Sequence, residues 1–466
     1  METARRGVPG PAPVPVTAEQ EAGALAAFHA QSHDKDVTPV RTLFFGRTLA
    51  DPVLRTGPGV PLPGPAQEAL AGLRAADAAE AAPAVPGPLG ARLAAACAEA
   101  VRVRRLSPAD RYPVHRAYPS PRGLFGADLF LLPASGEEWC LRMDPRTCSL
   151  HPWSGSSVPA DLESSLAGAR VAVAVDHRRY PPEYGRLRPS LALLEGGHLA
   201  ATLGLVLARA GLAPRTVFAP DGVPVPDGFS PCALLTPHPG DCGAVVVGAG
   251  GLTGVAAVAA RSAAGTSLRD WLDARTSGVS TANLVTSAYV SAEDGAEVTA
   301  SLAAALSAVA ASAPADTLRL DRIVLAGNRV DDRVATELRP GGGAGPDRPV
   351  PRTGDTNAAS SLGHTLSVDF RPWARALGDR AQTALHPLLG WIAQWGCLAA
   401  AGSGLCARPM RNYTESDWAS VLGLPPDMTP AYQLWVRSER GTYLDLPVDG
   451  VLPPGHRPPP LSAKAL

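Results

Sequence analysis

Lysine is almost missing from this chain: Lys35 and Lys464 are the two in 466 residues, so its cationic side chains are arginines. The formal net charge is −1, and no global field recruits nucleic acid or an anionic membrane surface. Seven cysteines (97, 140, 148, 232, 242, 397 and 406) form no C-x-x-C pair and are odd in number. That excludes a disulfide framework and a zinc site, and leads us to expect reduced thiols in a cytoplasmic protein with no metal. The opening ETARRGVPGPAPVPV lacks an apolar h-region, so no signal peptide is expected. The longest apolar stretches, such as 243–262, are broken by glycines, and this one ends at Arg261; they read as strand, turn and core helix, not as a membrane span. A P-loop and a G-x-G-x-x-G are also missing, since GAGGLTG at 248–254 spaces its glycines differently.

What is present is a helix written twice. EGGHLAATLGLVLARAGLAPR runs from Glu195 to Arg215, and LGWIAQWGCLAAAGSGLCAR from Leu389 to Arg408. An offset of 193 superposes Gly197 on Gly390, Leu205 on Leu398, Ala208 on Ala401 and Arg215 on Arg408 without a gap. Each copy is apolar nearly all round, which marks a helix buried on most sides. Each opens at glycine and stops at Gly-Leu, and the closing glycine suits a left-handed C-cap. Chance between two Ala/Leu/Gly-rich helices is the alternative; the shared Gly-Leu-x-x-Arg favours duplication.

The remaining elements fit two halves. Residues 1–16 are Pro-rich and expected to be disordered. A helix starts after Thr17 as N-cap, with Glu19 and Glu21 in its first turn. Strands are expected at 127–132 and 170–177, and a long coil closes the first domain at 243. The second domain, 244–450, follows the same order: the strand GAVVVGA, the helix SLRDWLDARTSG at 267–278, another helix, and the strand LRLDRIVLAG. GGGAGPDRPVPRTGD reads as a loop. Strand 127–132 falls on 321–326 at an offset of 194, and PCALL at 231 on PAYQL at 430 at 199. Residues 451–466 form a proline-rich tail.

Four stretches in order resemble the SagB-type branch of the nitroreductase-like flavoproteins. YPSPRGLFGADLFLL contains Pro119, Ser120 and Gly123 where that family has a Pro-Ser-Ala-Gly turn before a strand. MDPRTCSLHPW matches its Tyr-Asp-Pro…His-Leu hairpin, PPEYGRLRPSLALLEGGHL its Lys-Tyr-Gly segment before a Glu-x-Gly-His helix, and FHAQSHDK its His-x-x-Ser-Lys start. The second half resembles a degenerate copy, as in the tandem dehydrogenases of thiopeptide and related azole clusters. The resemblance implies an α+β fold: two nitroreductase-like domains, each a mixed sheet flanked by helices, forming an intrachain pseudo-dimer with FMN between them. It implies oxidation of peptide thiazoline or oxazoline rings to azoles. The implied partners are a modified precursor peptide and a YcaO-type cyclodehydratase.

In that family one copy supplies an Arg-x-Ser segment to the FMN phosphate and the other supplies the Pro-Ser turn beside the ring. Arginine's planar fork matches phosphate oxygens in pairs, and small residues let backbone amides approach a flat ring. Here the first half reads LRAAD, with Arg74 and no serine, and the second reads ARTSG, with Arg275 and Ser277. Only the first half keeps the Pro-Ser turn. The complementary losses imply one complete composite site: Arg275, Ser277, Gly390 and Arg408 from the second half, Pro119, Ser120 and Gly123 from the first. The family's Lys-Tyr pair is replaced by Glu183-Tyr184, where a carboxylate raised by burial could act as base. A flavin-free peptide-binding scaffold, or a flavin reductase acting on dehydroalanine or nitro groups, are the alternatives.

Overall fold

The computed structural model describes residues 15–32, 59–79, 85–106, 114–134, 138–153, 156–238, 240–278, 285–288, 290–310, 312, 314–325, 333–337, 348–349, 362–411, 413–441 and 446–447. Both proline-rich tails, the His33–Lys35 end of FHAQSHDK and most of the 341–355 loop lie outside the described residues. The first half opens with α1 (Ala18–Ser32), α2 (Gly64–Ala75), α3 (Leu89–Val101) and two short strands, β1 (Arg105–Leu106) and β2 (Val114–His115). Then come β3 (Ala127–Leu132), β4 (Leu141–Met143), β5 (Leu150–Pro152), α4 (Leu162–Ala167), β6 (Arg170–Asp176), α5 (Arg188–Arg209), β7 (Arg215–Pro220), β8 (Phe229–Thr236) and β9 (Gly243–Val247).

The second half continues with α6 (Ala249–Ala260), α7 (Leu268–Ala274), β10 (Val285–Ala288), α8 (Ala296–Ala310), β11 (Leu318–Leu325), β12 (Arg333–Glu337) and β13 (Arg348–Pro349). It ends with β14 (Leu362–Asp369), α9 (Arg371–Leu377), α10 (Ala381–Gly402), β15 (Cys406–Met410), α11 (Glu415–Leu422), β16 (Met428–Gly441) and β17 (Leu446–Pro447). One seven-stranded sheet runs β5-β4-β3-β6-β8-β7-β9 and the other β10-β16-β14-β11-β12-β13, with β15 also on β16. The expected mixed sheets are not found: all pairings in both sheets are antiparallel among the described residues.

The offset of 193 is carried into three dimensions. Helices α5 and α10 are both 22 residues long, and both are entered through a glycine with φ of 52°, Gly185 and Gly378. Both are left through a left-handed glycine, Gly211 at φ 70° and Gly404 at φ 68°. The following leucine N–H bonds back to the helix in each case, Leu212 to Leu207 and Leu405 to Ala400, both at 2.8 Å, a Schellman closure. A β-bulge breaks the register between Val173 and Ala174 on β6, and again between Leu366 and Ser367 on β14. Register also corrects one equivalence. Leu129 pairs Val173 and Leu320 pairs Leu366, so β3 corresponds to 318–323 and not to 321–326.

The two long helices start earlier than their glycines suggest, because Pro189 fits the first turn of α5 and the glycines lie inside the helices. They lie there because the helices cross at them. A Cβ on Gly197 would stand 1.9 Å from the Pro387 carbonyl oxygen, and one on Gly390 2.1 Å from that of Leu194. Leu194 and Pro387 differ by the same 193, so each helix meets the other in the same way, as in an isologous contact. The segment Pro182–Arg209 is long and apolar enough to cross a membrane, but it is buried in this core.

Chain halves and packing units do not coincide. Helix α1 packs on the second half, where Phe28 stacks on Phe370 at 4.1 Å and Ser32 accepts a hydrogen bond from Arg411. Conversely β17 pairs with β1, and β9, expected to open the second domain, pairs with β7 in the first sheet. A boundary at 243 therefore cuts in front of a strand that belongs to the first sheet.

Candidate functional site

Helix α7 begins at Ser267, whose hydroxyl accepts the Asp270 N–H, and ends at Ala274. Arg275 then turns extended, with φ −63° and ψ 118°, and its side chain goes inward to 3% exposure. Its Nε donates to the Arg116 carbonyl at 3.2 Å and its Nη1 to Ser277 Oγ at 3.2 Å. No carboxylate meets it among the described residues. Burial, then the nearby Arg105, lowers its pKa to about 10. A buried guanidinium without a counter-charge is costly and fits a site completed by an anion. The Thr276 carbonyl accepts the Ala407 N–H at 3.1 Å, which docks this segment beside Arg408 on β15. Arg437 approaches the Ser277 carbonyl at 3.5 Å.

Arg116 carries the contact across to the Pro-Ser turn. Its guanidinium bonds the Tyr118 hydroxyl at 2.8 Å and lies 4.3 Å from the centre of the Phe125 ring. Between them the turn has three residues in the left-handed region, Arg122 at φ 53°, Gly123 at 66° and Phe125 at 47°. Only glycine adopts that conformation freely, and strain of this kind clusters at functional sites. The turn is held from inside. Ser120 Oγ accepts the Phe125 N–H at 2.8 Å and donates to Glu195 Oε2 at 2.5 Å. The Ser120 hydroxyl is thus committed within the chain.

The acid/base candidates lie next to this turn. Arg122 sits 5.8 Å from the centre of the buried Tyr184 ring. Glu183 is half-buried, and its Oε2 is sealed from solvent without a hydrogen-bond partner among the described residues. His198, in the matched Glu-x-Gly-His, is a satisfied core histidine: it bonds Gln394 and Tyr432, each at 2.9 Å, and burial lowers its pKa to about 3.

Gly390 stands at the helix crossing. One expectation needs correction. Arg74 is not the counterpart of Arg275. The segment after α2 pairs with the one after α6, Ala78 N–H to Thr266 and Leu268 N–H to Ala76, while α2 packs on α3 as α6 packs on α8. Arg74 instead bonds the buried Glu99 at 2.7 Å. Burial pushes Glu99 up, but Arg104, Arg102 and Arg74 outweigh it and hold its pKa at about 2. Arg116, Glu195 and Tyr180 are not among the site residues expected from sequence. The Glu of Glu-x-Gly-His is the one available signal.

No protein-family model and no curated protein matches the chain. Among solved structures, a protein from Anabaena variabilis described as a nitroreductase matches with a TM-score of 0.56 at 15% identity, over 90% of this chain and 99% of that one. Another from Ralstonia eutropha, also described as a nitroreductase, overlaps 38% of this chain and 82% of its own at 17% identity, with a TM-score of 0.23. The chain has a nitroreductase-like α+β fold.

Proposed function

We propose that the chain is a flavin-dependent oxidoreductase in which two fused nitroreductase-like halves, 17–243 and 244–450 by sequence, form a pseudo-dimer that holds one FMN. Its reaction is oxidation of thiazoline or oxazoline rings in a modified precursor peptide, downstream of a YcaO-type cyclodehydratase. The observation that carries this reading is Arg275: a buried guanidinium from the second half, without a carboxylate, bonded to the carbonyl three residues before Pro119 of the first half. An FMN phosphate would supply the missing anion. Arg275, Ser277 and Arg408 would hold the phosphate side, and Pro119, Ser120 and Gly123 the ring side, with Ser120 acting through the shape of the turn.

Bound FMN supplies a hydride acceptor. The chain's own contribution would be to orient the substrate ring and take its proton, and we assign that role to Glu183 Oε2, which is buried without a hydrogen-bond partner among the described residues. Tyr184, packed under Arg122, orients or relays. Glu183→Gln and Tyr184→Phe are expected to leave FMN bound while slowing oxidation of a thiazoline-containing peptide by about 10²-fold or more. Single-turnover flavin bleaching measures this; full rates in both variants would move the proton acceptor elsewhere.

A further inference from the structure

Glu195 lies inside α5, 1% exposed, and its two carboxyl oxygens meet three hydrogen-bond partners. Ser120 O–H reaches Oε2 at 2.5 Å, Tyr180 O–H the same oxygen at 2.6 Å, and Ala127 N–H reaches Oε1 at 3.0 Å. The donors come from three places that the site needs fixed together. Ser120 is in the strained turn, Ala127 opens β3, and Tyr180 is three residues before Glu183. The Tyr180 ring fills the space a side chain on Gly126 would need, within 2.3 Å of its Cβ position.

We infer that Glu195 is a positioning residue that works as an ionised carboxylate, clamping the Pro-Ser turn to the Glu183–Tyr184 segment. This deepens the proposed function and rests on it for the identity of the site. Stability alone does not account for an acid here. Burial raises its pKa, and the bonds from Ser120, Tyr180 and Ala127 only partly offset that. A folded-state value above the unfolded one means that ionising Glu195 costs stability as pH rises through the raised value. The other groups facing it do not provide a full counter-charge. Arg116 favours the ionised form, while Tyr118 and Tyr180 from the loops, Cys232 from β8 and Tyr432 from β16 are neutral. Asp128, beyond Tyr118, is paired with Arg142 and Arg179, at 2.8 and 2.9 Å. Glutamine has the same shape, but it must offer N–H to Ser120 and Tyr180 and so reverses those bonds.

The test is amide hydrogen exchange of residues 116–127 in the full chain, followed across pH after correction for intrinsic exchange. In the wild type, protection of these amides against local opening, in which α5 keeps Glu195 buried while the turn leaves it, is expected to rise about tenfold or more as Glu195 ionises, because the donors that favour the charged form are lost on opening; protection that rests on global unfolding should fall over the same range. Glu195→Gln should abolish that rise, and Glu183→Gln should not. Ser120→Ala and Tyr180→Phe, milder changes that each remove a donor to the carboxylate, should move the midpoint to higher pH by about one unit. A pH-independent wild type, or a midpoint indifferent to both donors, overturns the inference. FMN affinity should follow the same midpoint. If the chain takes up no FMN, the proposed function fails while the exchange result still decides the role of Glu195.

Discussion

Arg275→Ala is expected to weaken FMN binding by about 10- to 100-fold, the value of one charge-assisted hydrogen bond. The side chain is buried, its two hydrogen-bond acceptors are a carbonyl and a hydroxyl, and neither supplies charge. Removing it takes away the cation that the phosphate would neutralise. Arg275→Lys should recover only part of the loss, because an ammonium cannot present two parallel donors. Arg74→Ala, whose guanidinium already faces Glu99 at 2.7 Å, should leave FMN affinity near that of the wild type. Fluorescence titration of FMN against the three variants measures this. Release of flavin by Arg74→Ala with retention by Arg275→Ala would reverse the assignment of halves.

The second large effect lies at the helix crossing. In Gly197→Val the first added carbon would meet the Pro387 carbonyl oxygen at 1.9 Å, and the nearby Trp391 nitrogen is 2.8 Å away. Both neighbours are backbone inside a buried helix, so no side chain can swing aside. We expect a loss above the usual overpacking range, at least about 3 kcal/mol, or roughly 3 °C or more in Tm for a chain of this size. Gly390→Val should behave alike, since it meets the Leu194 carbonyl in the same way. Gly254→Ala in α6 has nothing within 4 Å of the added carbon and is the control; it should be neutral or stabilising by up to about 1 kcal/mol. Equal melting temperatures for Gly197→Val and Gly254→Ala would mean that the helices are not in backbone contact.

The long helices are legible in the sequence because their repeat is gapless: Gly197 and Gly390 match there, and both stand at the crossing. Their starts are not, since Arg188 and Ala381 open turns that have no shared residue pattern. The shift of β11 by three residues is hidden for a related reason. Its apolar residues suit several registers, and the pairing with β14 decides among them. Strand direction, likewise, is not written in a strand's own residues. At the site, Arg275, Ser277 and the Pro119–Gly123 turn are visible as short motifs, and they do approach one another through Arg116. Arg74 misleads because alanine-rich helices align in many ways. Ser120 reads as facing a ligand because sequence does not show that Glu195, 75 residues on, accepts its hydrogen bond.

The central claim is that the two halves together make one flavin site. Saturating the purified monomer with FMN, removing free flavin and comparing bound flavin with protein concentration tests it most directly. The account predicts one FMN per chain, bound without association of chains. Two per chain, none, or binding only in a dimer of chains would contradict it.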